Sequence, residues 1–395
     1  MIKREHYLSK IREFYDSDLI KVITGIRRCG KSVIKDQIIE EIRQQNKPVI
    51  SLNFEERAIS SEISNADELE AYITQKLSPN AKTYVFLDEV QLVEDWNLAC
   101  RSLRLKNLSL FITGSNSKLL SREFTKELSG RYVAFCIRPF VYKELSAYAA
   151  ELGKEYSIED YLIYGGFPKI LEFDTRAAML QYLNDLDEQI IMNDIMNRYN
   201  IRKKEIFRML TNYILISNAR IFSANATQRF LKGQNIICSV STIMRYVDYL
   251  KEAYAIRGIS QYSTLAKREL KYFDKIYDED VAFNSIRQRN GRFDITHNME
   301  NIIYNELIYM GYDLSVFNKA GREIDFLAEK EGKQYLIQVA YTIADESTYN
   351  REFALFNQLD QSMQKIIITN DNIDYSTSTV RHIPFREFLM LEDLQ

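Results

Sequence analysis

Leu19-Ile20-Lys21-Val22-Ile23-Thr24-Gly25-Ile26-Arg27-Arg28-Cys29-Gly30-Lys31-Ser32 carries a short apolar β-type run into the pattern G-x-x-x-x-G-K-S. The residues that follow, VIKDQIIEEIRQQ at 33–45, place apolar side chains at helical spacing. Strand, glycine-bearing turn and helix, in that order, are the setting in which this pattern holds phosphate. Glycines let the backbone curl until successive N–H groups point inward, and the start of the helix adds positive potential where phosphate charge lies. The pattern assigns nucleotide contact to Gly25, Ile26, Arg27, Arg28, Cys29, Gly30, Lys31 and Ser32. Lys31 is expected to meet the terminal phosphates. Ser32 offers a hydroxyl to Mg²⁺, a hard ion that keeps several waters and takes few protein oxygens. ATP and Mg²⁺ are the ligands this reading implies.

Downstream, TYVFLDEVQ at 83–91 sets Asp88 and Glu89 at the C-terminal end of an apolar strand, where α/β sheets gather their ligand-facing residues. Asp88 is expected to hold magnesium through its water shell, and Glu89 to orient or deprotonate the attacking water. Hydrolysis, beyond binding, is implied. LFITGSNS at 110–117 is another buried strand ending in small polar residues, so Ser115 or Asn116 is the candidate polar side chain between phosphate loop and acidic pair. With PVISLNF at 48–54 and YVAFCI at 132–137, these runs predict an α/β domain with a parallel sheet covered by helices. An accessible Cys29 thiol in the loop would be shielded from alkylation by bound ATP.

The chain has 395 residues, too many for one ordinary core. With 5 Pro and 13 Gly it has little material for long flexible linkers, so its domains are expected to pack closely. A net charge of -3 announces no global positive field for nucleic acid, although a local basic face is compatible with it. Cys29, Cys100, Cys136 and Cys238 lie far apart with no C-x-x-C pair, which fits reduced thiols and a cytoplasmic location. The opening MIKREHYLSKIREFYDS lacks a signal peptide's apolar stretch, and no segment approaches a membrane span.

The rest of the chain divides by pattern. Residues 1–140 contain the phosphate-binding core. Residues 141–207 turn to helical periodicity, interrupted by the turn-like Gly165-Gly166-Phe167-Pro168, and read as a helical lid. Residues 208–290 combine short helices with two β-type runs, YAIRGISQYS and LKYFDKIYDED, a winged-helix-like arrangement. Residues 291–395 return to α/β character, with a helix through NMENIIYNELIYMGY and β-type runs DLSVFN, EIDFLAEK, QYLIQVAY and KIIITN.

GIRRCGKS, FLDEVQLVEDW, FITGSNSKLLS, LSGRYVAFCIRPF and YGGFPKI together resemble a widespread group of prokaryotic AAA-type P-loop ATPases with a C-terminal domain of unknown function, and the resemblance spans nearly the whole chain. It implies an AAA-type core, a lid, a winged-helix-like segment and a C-terminal domain with a restriction-endonuclease-like fold. Arg131, in the pair Gly130-Arg131, matches the family's candidate arginine for the γ-phosphate, reaching it in cis or from a neighbouring subunit. Pro168 matches a lid motif that places proline near the nucleotide; without the resemblance the same residues read as an interhelical turn. Glu306, Asp325 and the run Leu336-Ile337-Gln338-Val339-Ala340 resemble the endonuclease set of Glu, Asp and Glu-x-Lys. Gln338 in place of the carboxylate and Ala340 in place of the lysine remove a charged ligand and the ammonium. The expectation is a degenerate nuclease site.

In SVSTIMRYVDYL at 239–250, Ser or Thr caps a short helix whose Ile243, Tyr246, Val247 and Leu250 face a core, leaving Thr242 and Arg245 outward. Arg202, Lys203, Lys204, Lys267, Arg268 and Lys271 flank it and suit phosphates, while Asp248, Glu252 and Glu269 interleave as on a solvated face. Three functions compete: an ATP-driven molecular switch with DNA, a protein or a second copy as partner; an ATP-regulated nuclease; and a protein-binding scaffold with little turnover.

Overall fold

A computed structural model of the chain describes residues 2–114, 128, 130–262, 274–288, 292–319, 322–356 and 363–395. It divides into two compact units, one of Met1–Pro139 with Glu252–Tyr254, the other of Phe140–Lys251 with Ala255–Gln395. The lid-like and C-terminal segments fall in the second unit, as does the segment between them apart from Glu252–Tyr254. Among the described residues no helix is long and apolar enough to cross a membrane.

In the first unit, α1 (Glu5–Arg12) precedes β1 (Ile20–Thr24), and α2 (Lys31–Gln44) leads to β2 (Val49–Asn53). Then come α3 (Ala66–Lys76), β3 (Thr83–Asp88), α4 (Trp96–Leu103), β4 (Leu108–Thr113) and β5 (Tyr132–Cys136). All five strands are parallel, in the order β2-β3-β4-β1-β5. The central strands β1, β3 and β4 are buried at every position, which is why they read as mostly apolar runs without a polar face. Leu69 and Ile73 of α3 and Leu103 of α4 seal one face against Val85, Leu87 and Leu110. Each such burial contributes roughly 1.5–3 kcal/mol. The order brings the exits of β1, β3 and β4 side by side at one edge of the sheet.

The second unit opens with α5 (Tyr142–Glu151), α6 (Ile158–Tyr164) and α7 (Arg176–Asp187). Next are α8 (Lys204–Ile216), β6 (Arg220–Phe222), α9 (Ala224–Gly233), α10 (Val240–Glu252), β7 (Ile256–Ile259) and β8 (Asp274–Asp278). The three strands form an antiparallel sheet in the order β6-β8-β7. Ser239 caps α10 through its hydroxyl, and Ile243, Tyr246, Val247 and Leu250 are the buried side chains of that helix.

The last part is α11 (Ile295–Tyr309), an antiparallel meander of β9 (Asp313–Lys319), β10 (Arg322–Lys330) and β11 (Lys333–Ala340), then α12 (Glu346–Ala354). Strands β12 (Gln364–Thr369) and β13 (Arg381–Pro384) continue the sheet in parallel, giving the order β13-β12-β11-β10-β9. The short edge strands β6 and β13 were absent from the sequence pattern.

Candidate functional site

The phosphate loop joins the exit of β1 to α2. Gly25 has φ 138°, Arg28 φ 67° and Gly30 φ 100°. A Cβ on Gly25 would stand 2.0 Å from the carbonyl oxygen of Ile137, so the first glycine is demanded by backbone contact as well as by its φ. The Cys29 Sγ is buried and donates to that same oxygen at 3.2 Å. The thiol is therefore not exposed for alkylation, contrary to the accessible case set out above. Arg4, buried before α1, donates through Nη1 to the carbonyls of Cys29 at 3.2 Å and Arg138 at 3.0 Å, pinning the loop to the exit of β5.

Lys31 folds over the loop and donates through Nζ to the carbonyls of Gly25 at 3.1 Å and Ile26 at 2.9 Å. Ser32 is exposed at the start of α2, and Arg27 and Arg28 occupy the outer turn. Asp88 ends β3. Its Oδ2 accepts from Lys35 Nζ at 2.8 Å, and its Oδ1 accepts from Thr113 Oγ1 at the end of β4. Glu89 follows with φ 54°, a left-handed conformation that is strained for a side-chain-bearing residue. Its N–H is held by the Thr113 carbonyl at 3.1 Å, and its carboxylate accepts from Gln91 Nε2. Burial pushes the Glu89 carboxyl upward, against the pull of Gln91 and the Lys31 ammonium.

These residues form a donor set suited to a magnesium-bound triphosphate: a backbone cradle, one ammonium, one exposed hydroxyl, and a buried carboxylate already matched to a cation. Thr113, Lys35 and Arg4 were not singled out from the sequence. Thr113 could have been, as the final residue of the strand whose next positions were proposed instead. Ser115 and Asn116 lie outside the described residues, as do Lys267, Arg268, Glu269 and Lys271.

Arg131 requires a correction. Its carbonyl accepts the N–H of Ile20 at 2.9 Å, so it stands where β1 and β5 begin, whereas the phosphate loop leaves the other end of β1. The 5 residues of β1 separate those ends by about 16 Å at roughly 3.3 Å per residue. An arginine side chain does not span that in cis.

In the second unit the pair Gly165-Gly166 is explained by a carboxylate at the first glycine and a backbone carbonyl at the second. A Cβ on Gly165 would lie 1.6 Å from Asp280 Oδ1, and one on Gly166 would lie 2.0 Å from the Phe140 carbonyl oxygen. The Gly166 N–H donates to Asp280 Oδ2 at 2.7 Å. Pro168 begins the short helix Pro168–Glu172, as its fixed φ favours.

The endonuclease-like set is also rearranged. Asp325, in β10 beside a break in register with β9, accepts the Val339 N–H on Oδ2 at 2.9 Å, and the Gln338 side chain accepts the Asp325 N–H at 3.4 Å. Glu306 does not join them. It is fully buried, its Oε1 accepting the Tyr142 N–H at 3.0 Å, and burial raises its pKa to about 8. The helix carboxylate that shares a partner with Asp325 is Glu300, six residues earlier. Six residues turn a helix by about 600°, so the two glutamates point some 120° apart.

Lys275 Nζ from β8 sits between Asp325 at 2.8 Å, Glu300 at 2.8 Å and Glu323 at 3.2 Å. Burial alone would lower its pKa, but the Asp325 and Glu300 charges outweigh burial and raise it. Burial and the Asp325 charge push Glu300 upward. An ammonium with all three hydrogens engaged occupies the space a metal would need, so these residues do not fit a catalytic metal. Among the described residues no group of three or more His, Cys, Asp or Glu side chains could hold one.

Residues 17–146 match the family described as AAA domain. Residues 155–287 and 296–388 match two domains of unknown function, DUF8612 and DUF4143. An uncharacterized protein of Haemophilus influenzae is 32% identical over 384 residues, covering 93% of this chain and 93% of its own. An uncharacterized protein of Methanocaldococcus jannaschii is 30% identical over 397 residues, covering 93% of this chain and 87% of its own. Among solved structures, a Walker-type ATPase of Pyrococcus abyssi aligns with a TM-score of 0.49 and 17% identity over 73% of this chain and 96% of that one. DnaA of Aquifex aeolicus bound to AMPPCP aligns with a TM-score of 0.31 and 13% identity over 64% of this chain and 89% of that one. With its phosphate loop, its parallel sheet and its end-to-end likeness to the Haemophilus and Methanocaldococcus proteins, the chain belongs with them to a family of prokaryotic AAA-type P-loop ATPases.

Proposed function

We propose that the chain is a magnesium-dependent ATP-hydrolysing molecular switch. The observation that carries this reading is the convergence of Lys31, Ser32, Asp88, Glu89 and Thr113 at the adjoining exits of β1, β3 and β4. The loop N–H groups and Lys31 bind the phosphates. Ser32 and Asp88 would hold Mg²⁺, which when bound neutralises charge on the β- and γ-phosphates. Glu89, half-buried and with its carboxyl pKa raised by burial, is suited to take a proton from water attacking the γ-phosphate. Arg131 is reserved for a neighbouring subunit's nucleotide. Pro168 with its preceding glycines is the element through which nucleotide state would reach the lid.

DNA association is a second layer of the proposal. The order helix, strand, two helices, two strands, with the first strand paired to the last, supports a winged-helix reading, in which Ser239-capped α10 would be the groove-entering helix. Arg202, Lys203, Lys204, Arg229, Lys232 and Arg245 are exposed around it. The order of α11, meander, α12 and β12 supports a restriction-endonuclease-like fold for the last domain, with Lys275 closing its acidic centre against metal-dependent cleavage.

ATP turnover by the purified chain, with and without duplex DNA, tests the reading. Lys31→Ala should abolish turnover. Glu89→Gln should lower it about 10²- to 10⁴-fold while retaining nucleotide. Turnover stimulated by DNA supports the DNA layer, and DNA-independent turnover points to a protein partner or a self-contained switch. Tight ATP binding without turnover in the unaltered chain would refute the ATPase and leave the scaffold.

A further inference from the structure

Asp88 carries a resident cation. Lys35 Nζ lies 2.8 Å from its Oδ2, and the two side chains are only 10% and 9% exposed. The other carboxylate near that ammonium, Asp36 at 3.6 Å, is 69% exposed and a weaker partner. Lys35 follows Lys31 by four residues and Ser32 by three, so all three side chains rise from neighbouring positions on α2. Lys31 cannot substitute for Lys35 here, because its own Nζ is held by the Gly25 and Ile26 carbonyls. Thr113 occupies the second oxygen of Asp88, so Oδ2 is the oxygen on which cations meet.

A buried carboxylate is stable only when compensated, and an ammonium in contact and a hydrated Mg²⁺ cannot share one oxygen face. We propose that Lys35 is the built-in counter-ion of Asp88 and competes with the Mg²⁺ that accompanies nucleotide, so that breaking this pair sets the magnesium dependence of nucleotide binding. The proposal rests on the nucleotide reading above and adds a residue that the P-loop pattern does not contain. Lys35 is a positioning residue: it acts on Asp88, and through Asp88 on the metal side of the site.

The test uses the full chain and a fluorescent, non-hydrolysable ATP analogue, with its affinity followed from excess EDTA through millimolar Mg²⁺. Lys35→Met should lower the magnesium midpoint on the order of tenfold. Lys35→Arg, which keeps a cation on Asp88, should hold the midpoint at or above that of the unaltered chain, and Asp88→Asn should flatten the magnesium dependence. A readout without nucleotide accompanies it: MgCl₂ alone should raise the melting temperature of Lys35→Met and leave the unaltered chain unmoved. An unchanged or higher midpoint in Lys35→Met, or a lowered one in Lys35→Arg, overturns the competition. Should Lys35→Met not fold, the arginine variant still decides. Failure of the unaltered chain to bind the analogue at any magnesium concentration would sink the nucleotide reading itself, an outcome distinct from intact binding with an unmoved midpoint.

Discussion

Replacing Glu306 by glutamine should make the protein more stable, and increasingly so as pH rises. The side chain is fully buried in α11, with one oxygen accepting the Tyr142 N–H at the start of α5 and the other, Oε2, without a hydrogen-bond partner. Burial lifts its pKa from the ordinary 4.5 to about 8. Between those values the folded chain keeps the proton while the unfolded chain releases it, so folding is progressively disfavoured as pH climbs through the window. At 1.36 kcal/mol per pH unit the penalty is near zero at pH 4.5, about 3 kcal/mol at pH 7 and about 5 kcal/mol above pH 8. Glutamine has the same shape, can still accept the Tyr142 N–H, and does not titrate. Urea unfolding of both proteins at pH 5, 7 and 8.5 measures the difference, read from the transition of the second unit if two are resolved. A stability difference that stays flat with pH, or a variant less stable at pH 8.5, refutes the argument. Divalent cations provide a further check: if Glu306 were a metal ligand they would stabilise the unaltered chain alone, and no such effect is expected.

Lys275→Met leaves Glu300, Glu323 and Asp325 without their shared ammonium and should cost about 3–5 kcal/mol; a loss below about 1 kcal/mol in urea unfolding at pH 7 would contradict the central role of Lys275. The unaltered chain should show no magnesium-dependent cleavage of plasmid DNA that Asp325→Ala abolishes. Gly165→Ala should destabilise the second unit by about 2–5 kcal/mol, since the new Cβ meets the Asp280 carboxylate at a φ of +71°; a melting temperature equal to that of the parent would mean that Asp280 is free to yield.

What the sequence disclosed, and what it did not, divides along the distance over which each contact acts. The five parallel strands and the phosphate loop were legible because each is a local run with its own periodicity or glycine pattern. The buried face of α10 was legible for the same reason: Ile243, Tyr246, Val247 and Leu250 repeat at helical spacing. Glu306 and Glu300 could not be told apart, because α11 buries side chains around most of its circumference, from Asn298 and Met299 to Leu307 and Tyr309, and so advertises no single inner face. The cis alternative for Arg131 could not be set aside without strand direction: only the parallel register of β1 with β5 reveals that its end of the sheet is opposite the loop. Arg4 and Lys275 act on partners 25 and 50 residues away along the chain, a relation set by topology alone.

Asp88 and Asp325 then pose the same physical problem with opposite outcomes. Both are strand carboxylates taken largely out of water, and each is matched by a lysine from another element. At Asp88 the lysine satisfies one oxygen, a threonine the other, and an exposed serine stands on the helix from which the lysine comes. That leaves a carboxylate whose counter-ion can be exchanged for one arriving with a ligand. At Asp325 a single ammonium, itself almost wholly buried, serves three carboxylates, while the second oxygen of Asp325 is tied to the Val339 backbone. Displacing that lysine would strand two further acids along with the first. The exchangeable pair is therefore where cation chemistry should occur, and the saturated cluster is where the chain should hold its second unit together.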